Sequence, residues 1–476
     1  MTSQFTKIRL LATLTAALAL SGCAVGPDYL RPDAWLPDMF RSKPAAETPV
    51  ARAENPAVNA EWWRLFNDPA LDALVQQALA ANQDLAAAAA RLEAADAAAR
   101  EAGADFLPRL DLGAGSTQSQ TSGDTFNGRR VGQATYGNRR VAASASYELD
   151  VWGRIRRSNE AARADALASR YARDSVRLTL LGQLTGEYLT LRSLDAQQAV
   201  ADDTLASREK SLKIVLARVE AGAGSPLDQA QAESALAAAQ AQVAQLRRQR
   251  SLSESLLGLL AGQPGLSIPT GKLDTLPLPP LPPAGLPSDL LDARPDIRQA
   301  EEKLIAANAR IGVAKSAYFP SISLTGNIGS ESLALAGLFG SNAGFWSAAV
   351  NLAMPIFDAG RTGARVDQAS AAQKEALATY RKTVQTAFRE VNDALVSLRE
   401  LGEEEAAMRN QATAAKRTLS LAQARYEAGY VAYLEVLDAQ RTANSAQLSL
   451  LSVQRNRLAA AVDLFKALGG GWRAER

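Results

Sequence analysis

The chain contains two copies of one sequence pattern, and this repetition constrains its fold more than any other feature. The segment RVEAGAGSPLDQAQAE, which starts at Arg218, resembles RYEAGYVAYLEVLDAQ, which starts 207 residues later at Arg425. The same spacing holds without a gap over residues 153–233 and becomes 212 residues further upstream. A tandem duplication over about 71–265 and 289–470 predicts a pseudo-twofold protomer, because two copies are too few for a solenoid.

Each copy is predicted to fold in the same order: a helix, two β-strands, a long helix and a helix of half that length. The first helices cover about 71–105 and 289–317, which are rich in good helix formers. Alternation of apolar and small or polar residues predicts the strands, at about 108–121, 138–152, 320–330 and 345–357.

The long helices exclude a compact fold. Residues 156–220 and 361–428 contain no proline, and at ~1.5 Å per residue each helix spans on the order of 100 Å. Ser225 before Pro226 is typical of a helix start, here of a half-length helix to about Leu260. Proline density predicts an extended linker at 266–288 between the copies.

The strands fit either a half-buried soluble sheet or an outer-membrane barrel. Periodicity alone does not separate the two, but ~9–11 residues with flanking aromatic residues suit a barrel. Trp152, Phe319, Phe345 and Trp346 supply those aromatics. Four strands cannot close a barrel and open edges are not tolerated in lipid. Two chains would therefore share eight strands, or three chains twelve.

The N-terminus resembles a bacterial lipoprotein signal. Residues 1–22 carry Lys7, Arg9 and an apolar run too short to span a bilayer, followed by LSGCAVG around Cys23. The lipobox resemblance implies an N-acyl and S-diacylglycerol lipid on Cys23, a lipidated extended segment at 23–70 and, since Ala24 follows, the outer membrane. The alternative is an ordinary signal peptide that contains a buried cysteine.

Composition excludes several kinds of function. The chain has no histidine, which removes His-based zinc sites and Ser-His-Asp triads. Lys and Arg number 52 and Asp and Glu 50. Removal of residues 1–22 takes away Lys7 and Arg9 and no acid, so the remaining chain is neutral. A neutral chain gives no reason to expect a nucleic-acid partner. No long apolar run follows the signal, so no transmembrane helix is predicted. Neither an enzyme nor a cofactor is expected.

Five segments of the chain resemble the TolC-type outer-membrane efflux family, in particular its lipidated OprM/NodT-like branch. They are CAVGPDYLRP, WWRLFNDPALDALVQQAL, YELDVWGRIR, RPDIRQAE and FDAGR, spread over the chain after the signal. The resemblance implies a mainly α fold with a membrane β portion: a homotrimer with a 12-strand β-barrel and a 12-helix periplasmic α-barrel. It also implies a passive outer-membrane exit duct for small toxic compounds. The implied partners are outer-membrane lipid, a periplasmic adaptor (membrane fusion) protein and an inner-membrane RND-type or similar pump.

The family resemblance also implies a periplasmic gate formed by Asp228, Tyr426, Glu435 and Asp438. Rings of carboxylates around a threefold axis would bind cations. Helix capping is the alternative for Asp228, in Ser-Pro-Leu-Asp, and helix-dipole compensation for Glu435. Some relatives have an arginine in the second tip turn, where this chain has Gly-Tyr-Val-Ala, so closure is expected to rely on packing and Tyr426.

The two tip turns are implied docking sites for the adaptor, through Arg218, Gly222, Arg425 and Gly429. The glycines could equally be simple connections and the arginines solvated charges. Residues 471–476 are expected to be a tail. Two other functions remain open: a duct for peptide or protein (type I) secretion, and a periplasmic adaptor, although adaptors lack the strands and the duplication.

Overall fold

A computed structural model describes residues 24–33, 59–131, 134–282 and 290–473. Residues 1–22, the expected signal peptide, and Cys23 lie outside the described residues, as do 34–58 of the expected extended segment, 283–289 of the linker and the last three residues of the tail. The chain forms two compact units. The first unit holds residues up to 32, 92–169 and 300–380, and the second holds 33–91, 170–299 and 381–476.

The described elements follow the predicted order in each copy. Copy one contains α1 (Pro69–Ala81), α2 (Gln83–Ala104), β1 (Arg109–Gln120), a short α3 (Phe126–Val131), β2 (Thr135–Glu148), α4 (Arg154–Glu220) and α5 (Pro226–Leu260). Copy two contains α6 (Leu290–Ala293), α7 (Pro295–Ser316), β3 (Ser321–Ser332), β4 (Gly344–Ala353), α8 (Arg361–Glu427) and α9 (Tyr433–Ala467). Three-residue to five-residue 3-10 helices lie at Trp62–Phe66, Leu273–Thr275 and Leu335–Gly337.

The first predicted helix of each copy is broken in the structure. Asn82 separates α1 from α2: its side chain accepts a hydrogen bond from the Leu85 amide at 2.9 Å and donates to the Leu260 carbonyl at 2.9 Å. In copy two the break falls at Arg294, before Pro295, because proline disfavours helical backbone in the preceding residue. The single helices expected at 71–105 and 289–317 are therefore each two helices.

The four strands form one antiparallel sheet in the order β1-β2-β3-β4, within the first unit. Side chains that face each other across the sheet form alternating rows, since paired residues share a face. One row is apolar, with Leu112, Ala143, Ile328 and Trp346, and the next is polar, with Asp111, Ser144, Asn327 and Ser347. The strand bounds differ from expectation for β2, which runs from Thr135 to Glu148, and for β4, which ends at Ala353.

The N-terminal segment 24–33 is held against the helices of the first unit. The Val25 amide donates to the Trp152 carbonyl at 3.0 Å, just beyond the end of β2. Arg31 forms an ion pair of 3.0 Å with Glu301 on α7, and the side chain of Glu301 is buried. The segment is therefore attached at two places that lie far apart in the sequence.

The second unit has an apolar core next to the start of copy one and the end of α9. Trp62 stacks on Phe465 with ring centroids 5.3 Å apart. The start of the linker is fixed on α4 by buried charges: Arg192 donates to the Pro269 carbonyl at 2.7 Å and pairs with Asp195 at 3.1 Å. The linker is thus tethered to a helix at one end.

The two copies have helices of equal length. Both α4 and α8 contain 67 residues, and both α5 and α9 contain 35. In the part of the chain that the structure describes, every helix is too short or too polar to cross a membrane.

Candidate functional site

The candidate site lies in the second unit, at the turns that join α4 to α5 and α8 to α9. Both long helices end in the same way. The amide of Ala223 donates to the Arg218 carbonyl and that of Tyr430 to the Arg425 carbonyl, at 2.8 and 2.9 Å. Gly222 supplies the left-handed backbone at the first end, with φ of 71°. This is a Schellman motif, which glycine favours because it lacks a Cβ.

Gly429 has the same place at the end of α8, with φ of 80°. A Cβ at either glycine would meet nothing within 4 Å. Backbone conformation is therefore sufficient to explain why both glycines recur, and their expected docking role stays a prediction.

The first turn carries a capping box at the start of α5. The Asp228 amide donates to the Ser225 hydroxyl at 3.1 Å, and the Ser225 amide donates to the Asp228 carboxylate at 3.3 Å. Pro226 occupies the first helical position, where its missing N–H costs nothing. Asp228 is thus engaged as a helix cap within one chain, and its gate role stays a prediction.

The second turn lacks this cap. Ala432 stands at the N-cap of α9 and has no side chain to accept a hydrogen bond. Glu435, the counterpart of Asp228, instead pairs with Arg425 at 3.3 Å. The two side chains are 59% and 49% exposed, so this is a surface ion pair of modest strength.

Tyr426 joins the two copies at the tips. The Arg218 guanidinium lies over its ring, 4.5 Å from the centroid, and the Tyr433 ring lies 5.5 Å away. The first contact connects α4 to α8. The arginine that contacts Tyr426 therefore comes from the end of copy one and not from the second turn.

A second connection between the copies lies deeper. Arg208 on α4 donates a hydrogen bond to the Gln440 side chain on α9, and both residues are buried. Burial lowers the pKa of the Arg208 guanidinium and raises that of the nearby Tyr433 hydroxyl from their ordinary values. Sequence reasoning missed all three residues, because no local pattern marks a contact between positions more than 200 residues apart.

The structure does not bring the predicted gate carboxylates together within one chain. Asp438 pairs with Arg441 at 2.6 Å, and both side chains are exposed. Asp228, Glu435 and Asp438 each have a partner in their own copy. A ring of carboxylates would need further copies of the chain.

Apolar side chains are exposed at the tips together with Arg425, whose side chain is 59% exposed. Leu227 is 65% exposed, Leu434 59% and Tyr430 79%. Leu227 and Leu434 occupy equivalent places in the two copies, so the duplication itself was the signal that could have identified them. The Arg218 guanidinium packs on the Tyr426 ring, and Arg425 forms an ion pair with Glu435.

The sheet of the first unit offers a different kind of surface. Its apolar row is open to the surroundings, with Leu112, Ile328 and Trp346 each at least 66% exposed. Its outer strands, β1 and β4, each have one neighbour among the described strands of the chain. Both features are what a segment of a larger closed sheet would show.

Comparison with known proteins assigns these features to one family. The family model described as "outer membrane efflux protein" matches residues 74–263 and 286–470. The toluene efflux pump outer membrane protein TtgF of Pseudomonas putida is 38% identical over 466 residues, covering 97% of this chain and 96% of that protein.

Two further relatives extend the comparison. The cation efflux system protein CusC of Escherichia coli is 34% identical over 462 residues, 96% of this chain and 97% of that protein. The crystal structure of the CmeC outer membrane channel of Campylobacter jejuni matches with a TM-score of 0.87 and 25% identity. It covers 95% of this chain and 96% of that one.

Proposed function

Because the chain belongs to the outer membrane efflux protein family, we propose that it is the exit duct of a tripartite system that expels small organic compounds. The observation that carries this proposal is the exposed apolar row of the sheet. Such a row costs free energy in water, about 25 cal/mol per Å², and is stable against lipid. The polar row would then line an aqueous lumen.

The working form is a homotrimer. Four strands with two open edges cannot be stable in a bilayer, since unpaired backbone groups cost several kcal/mol each. Three copies supply twelve strands, with β1 of one copy beside β4 of the next. Three copies also supply three sets of Asp228, Glu435 and Asp438, which is the composition that a ring of carboxylates requires.

A lipid on Cys23 tethers the chain to the outer membrane. Ala24 follows Cys23 directly and lies beside Gly153, the last residue of the short connection between β2 and α4. The backbone bond from Val25 to Trp152 fixes this position. Acyl chains attached to the residue before Ala24 would contribute roughly 0.8 kcal/mol per buried CH₂ to membrane binding.

A periplasmic adaptor docks on the tips and an inner-membrane pump supplies the energy. Leu227 and Leu434 present apolar side chains at equivalent tips, and exposed apolar clusters mark interaction sites. Relatives named for toluene and antibiotic efflux favour small organic cargo, and the relative named for cation efflux gives the competing cargo.

The test is functional replacement in a Gram-negative strain that lacks its own outer-membrane efflux duct. Co-expression with a cognate periplasmic adaptor and inner-membrane pump should raise resistance to toluene and hydrophobic antibiotics several-fold. Native mass spectrometry should show trimers, with acyl mass lost in Cys23→Ser. Resistance to metal cations alone would assign cation cargo, and secretion of a polypeptide alone would assign a type I duct.

A further inference from the structure

A depression of about 520 Å³ lies on the polar face of the sheet, between β1 and β2. Side chains of paired residues share a face, so the polar row that contains Asp111 and Ser144 is followed by rows that begin at Gly113 and Gly115. These rows lie toward the strand ends that join the loops, away from the helices. Gly113, Gly115 and Ala142 line this space, which we call the β1–β2 depression.

The fold of the described chain does not require the two glycines of the depression. The backbones of Gly113 and Gly115 lie outside the left-handed region, and a Cβ at either residue would meet nothing within 4 Å. Glycine weakens a strand, and it often marks a place where a ligand or another backbone approaches closely. Small-molecule sites typically have volumes of ~300–1,000 Å³. The two glycines thus keep open a space that a small organic molecule fits.

Arg140 supplies a positive charge at the edge of the depression. It is paired with Glu331 in the register of β2 and β3, but the closest nitrogen–oxygen distance between the two side chains is 3.9 Å. These side chains are 45% and 40% exposed, and Asn138 donates to the other Glu331 oxygen at 2.8 Å. An exposed ion pair at this distance contributes little. The Arg140 guanidinium can therefore donate hydrogen bonds to an anion in the depression.

Phe345 on β4 orients the Arg140 guanidinium. The guanidinium carbon lies 4.5 Å from the centre of the Phe345 ring, although β3 separates the two strands. The β3 residue between Ala142 and Phe345 is Gly329, which has no side chain to block this contact. Cations are attracted to the faces of aromatic rings, so the contact accounts for an aromatic residue on the polar face of the sheet.

The surroundings of the depression carry an excess of positive charge. Asp111, which also lines it, forms an ion pair with Arg109 at 2.9 Å. The two segments that contain the loops, 121–140 and 329–345, hold four arginines and two acids: Arg129, Arg130, Arg139 and Arg140 against Asp124 and Glu331. A surface of one sign raises the local concentration of ligands of the opposite sign. Size, flat glycine surface and charge together describe a planar organic anion.

We propose that the β1–β2 depression binds an aromatic carboxylate on its way through the duct. The carboxylate pairs with Arg140, and the ring lies on the backbone of Gly113 and Gly115. Phe345 is a positioning residue, because it acts through Arg140. This inference rests on the proposed function, since the polar face must line an aqueous lumen, and it adds organic anions to the cargo that the duct recognises.

The first experiment measures protection of a thiol in the depression of the full chain in proteoliposomes. Thr117 lines the depression, and Thr117→Cys is modified with a neutral, water-soluble methanethiosulfonate. The wild type, whose only cysteine is Cys23, gives the background rate. Saturating 2-naphthoate should slow the modification about fivefold or more, because a bound ligand is largely covered by its site. The uncharged 2-naphthamide should not slow it.

The second experiment adds Arg140→Met to Thr117→Cys. Protection by 2-naphthoate should disappear, and the ratio of modification rates for an anionic and a cationic methanethiosulfonate should fall about threefold or more, since one nearby charge acts oppositely on the two reagents. Arg139→Met is the matched control, because the neighbouring arginine lies on the opposite face and should change neither quantity. Phe345→Leu keeps the charge and should weaken the protection with a smaller change in the ratio. Thermal stability is recorded for each variant, because a purely structural role would change stability without changing the ratio.

The outcomes separate this inference from the proposed function. Absence of protection, or protection that Arg140→Met leaves unchanged, overturns the anion site and keeps the duct. An unreactive Thr117→Cys beside a reactive Ser347→Cys, which lies on the same face in β4, also overturns it, because a neighbouring copy then fills the depression. Modification of Ile328→Cys in the apolar row, with neither polar-face thiol reactive, contradicts both.

Discussion

The two tip turns derive from one duplicated segment but are stabilised differently. Each long helix ends in the same backbone motif around a glycine. The first turn then continues through the capping box of Ser225 and Asp228, whereas the second has Ala432 and the Arg425–Glu435 ion pair. The two turns have the same backbone geometry, but different side-chain interactions stabilise them. The first turn is therefore stabilised by a helix cap, and the second by an ion pair within its hairpin and by Arg218 of copy one, which lies over Tyr426.

The largest expected effect comes from removing the aromatic ring that joins the copies. Tyr426→Ala loses the contacts with Arg218 and Tyr433, which together are worth about 1–3 kcal/mol. Hydrogen exchange of amides in the second turn of the purified protein should accelerate about tenfold or more, and the single-channel conductance should rise. Tyr430→Ala is the control, because Tyr430 is exposed. Equal effects in both variants would show that the Tyr426 ring does not stabilise the contact between the copies.

A smaller effect is expected when the cap of the first turn is removed. Ser225→Ala should cost about 1 kcal/mol of local stability, because the Asp228 amide loses its acceptor. Amides at the start of α5 should exchange about fivefold faster, and those at the start of α9 should not change. Acceleration at both turns would mean that the two hairpins open together.

The opposite substitution should strengthen the second turn. Ala432→Ser creates Ser-Tyr-Leu-Glu, a capping-box sequence with Glu435 at its third helical position. We expect a gain of about 0.5–1 kcal/mol, seen as slower exchange at the start of α9. If protection does not increase, Glu435 is held too firmly by Arg425 to serve as a cap.

The smallest effect is expected for that ion pair. Glu435→Gln should change the local stability of the second turn by only about 0.2–1 kcal/mol, and the difference should shrink as salt is raised. Exchange measured at low and high salt tests this. A large, salt-independent loss would place Glu435 in a buried contact with another copy of the chain.

Much of the fold was predictable because its signals are local. The alternation in β2 and β3 specified the apolar face of the sheet, and the absence of proline specified α4 and α8 nearly to their ends. The spacing of Ser225 and Asp228 was sufficient for the capping box. Such features require only the few residues around them.

The contacts between the copies were not predictable from one sequence. Arg218 reaches Tyr426 and Arg208 reaches Gln440 across more than 200 residues, and neither helix marks its partner. The break at Asn82 was also missed, because it depends on a bond to the distant Leu260 carbonyl. Tertiary geometry, not local propensity, decides these positions.

The equal lengths of α4 and α8 restrict how such a chain can change over evolution. Deleting one residue from α4 alone would shift everything beyond the deletion by about 1.5 Å and rotate it by about 100°. Arg218 would then face away from Tyr426, while α8 would keep its original phase. A longer or shorter duct therefore requires insertions or deletions that occur in both copies at once, in steps close to whole helical turns.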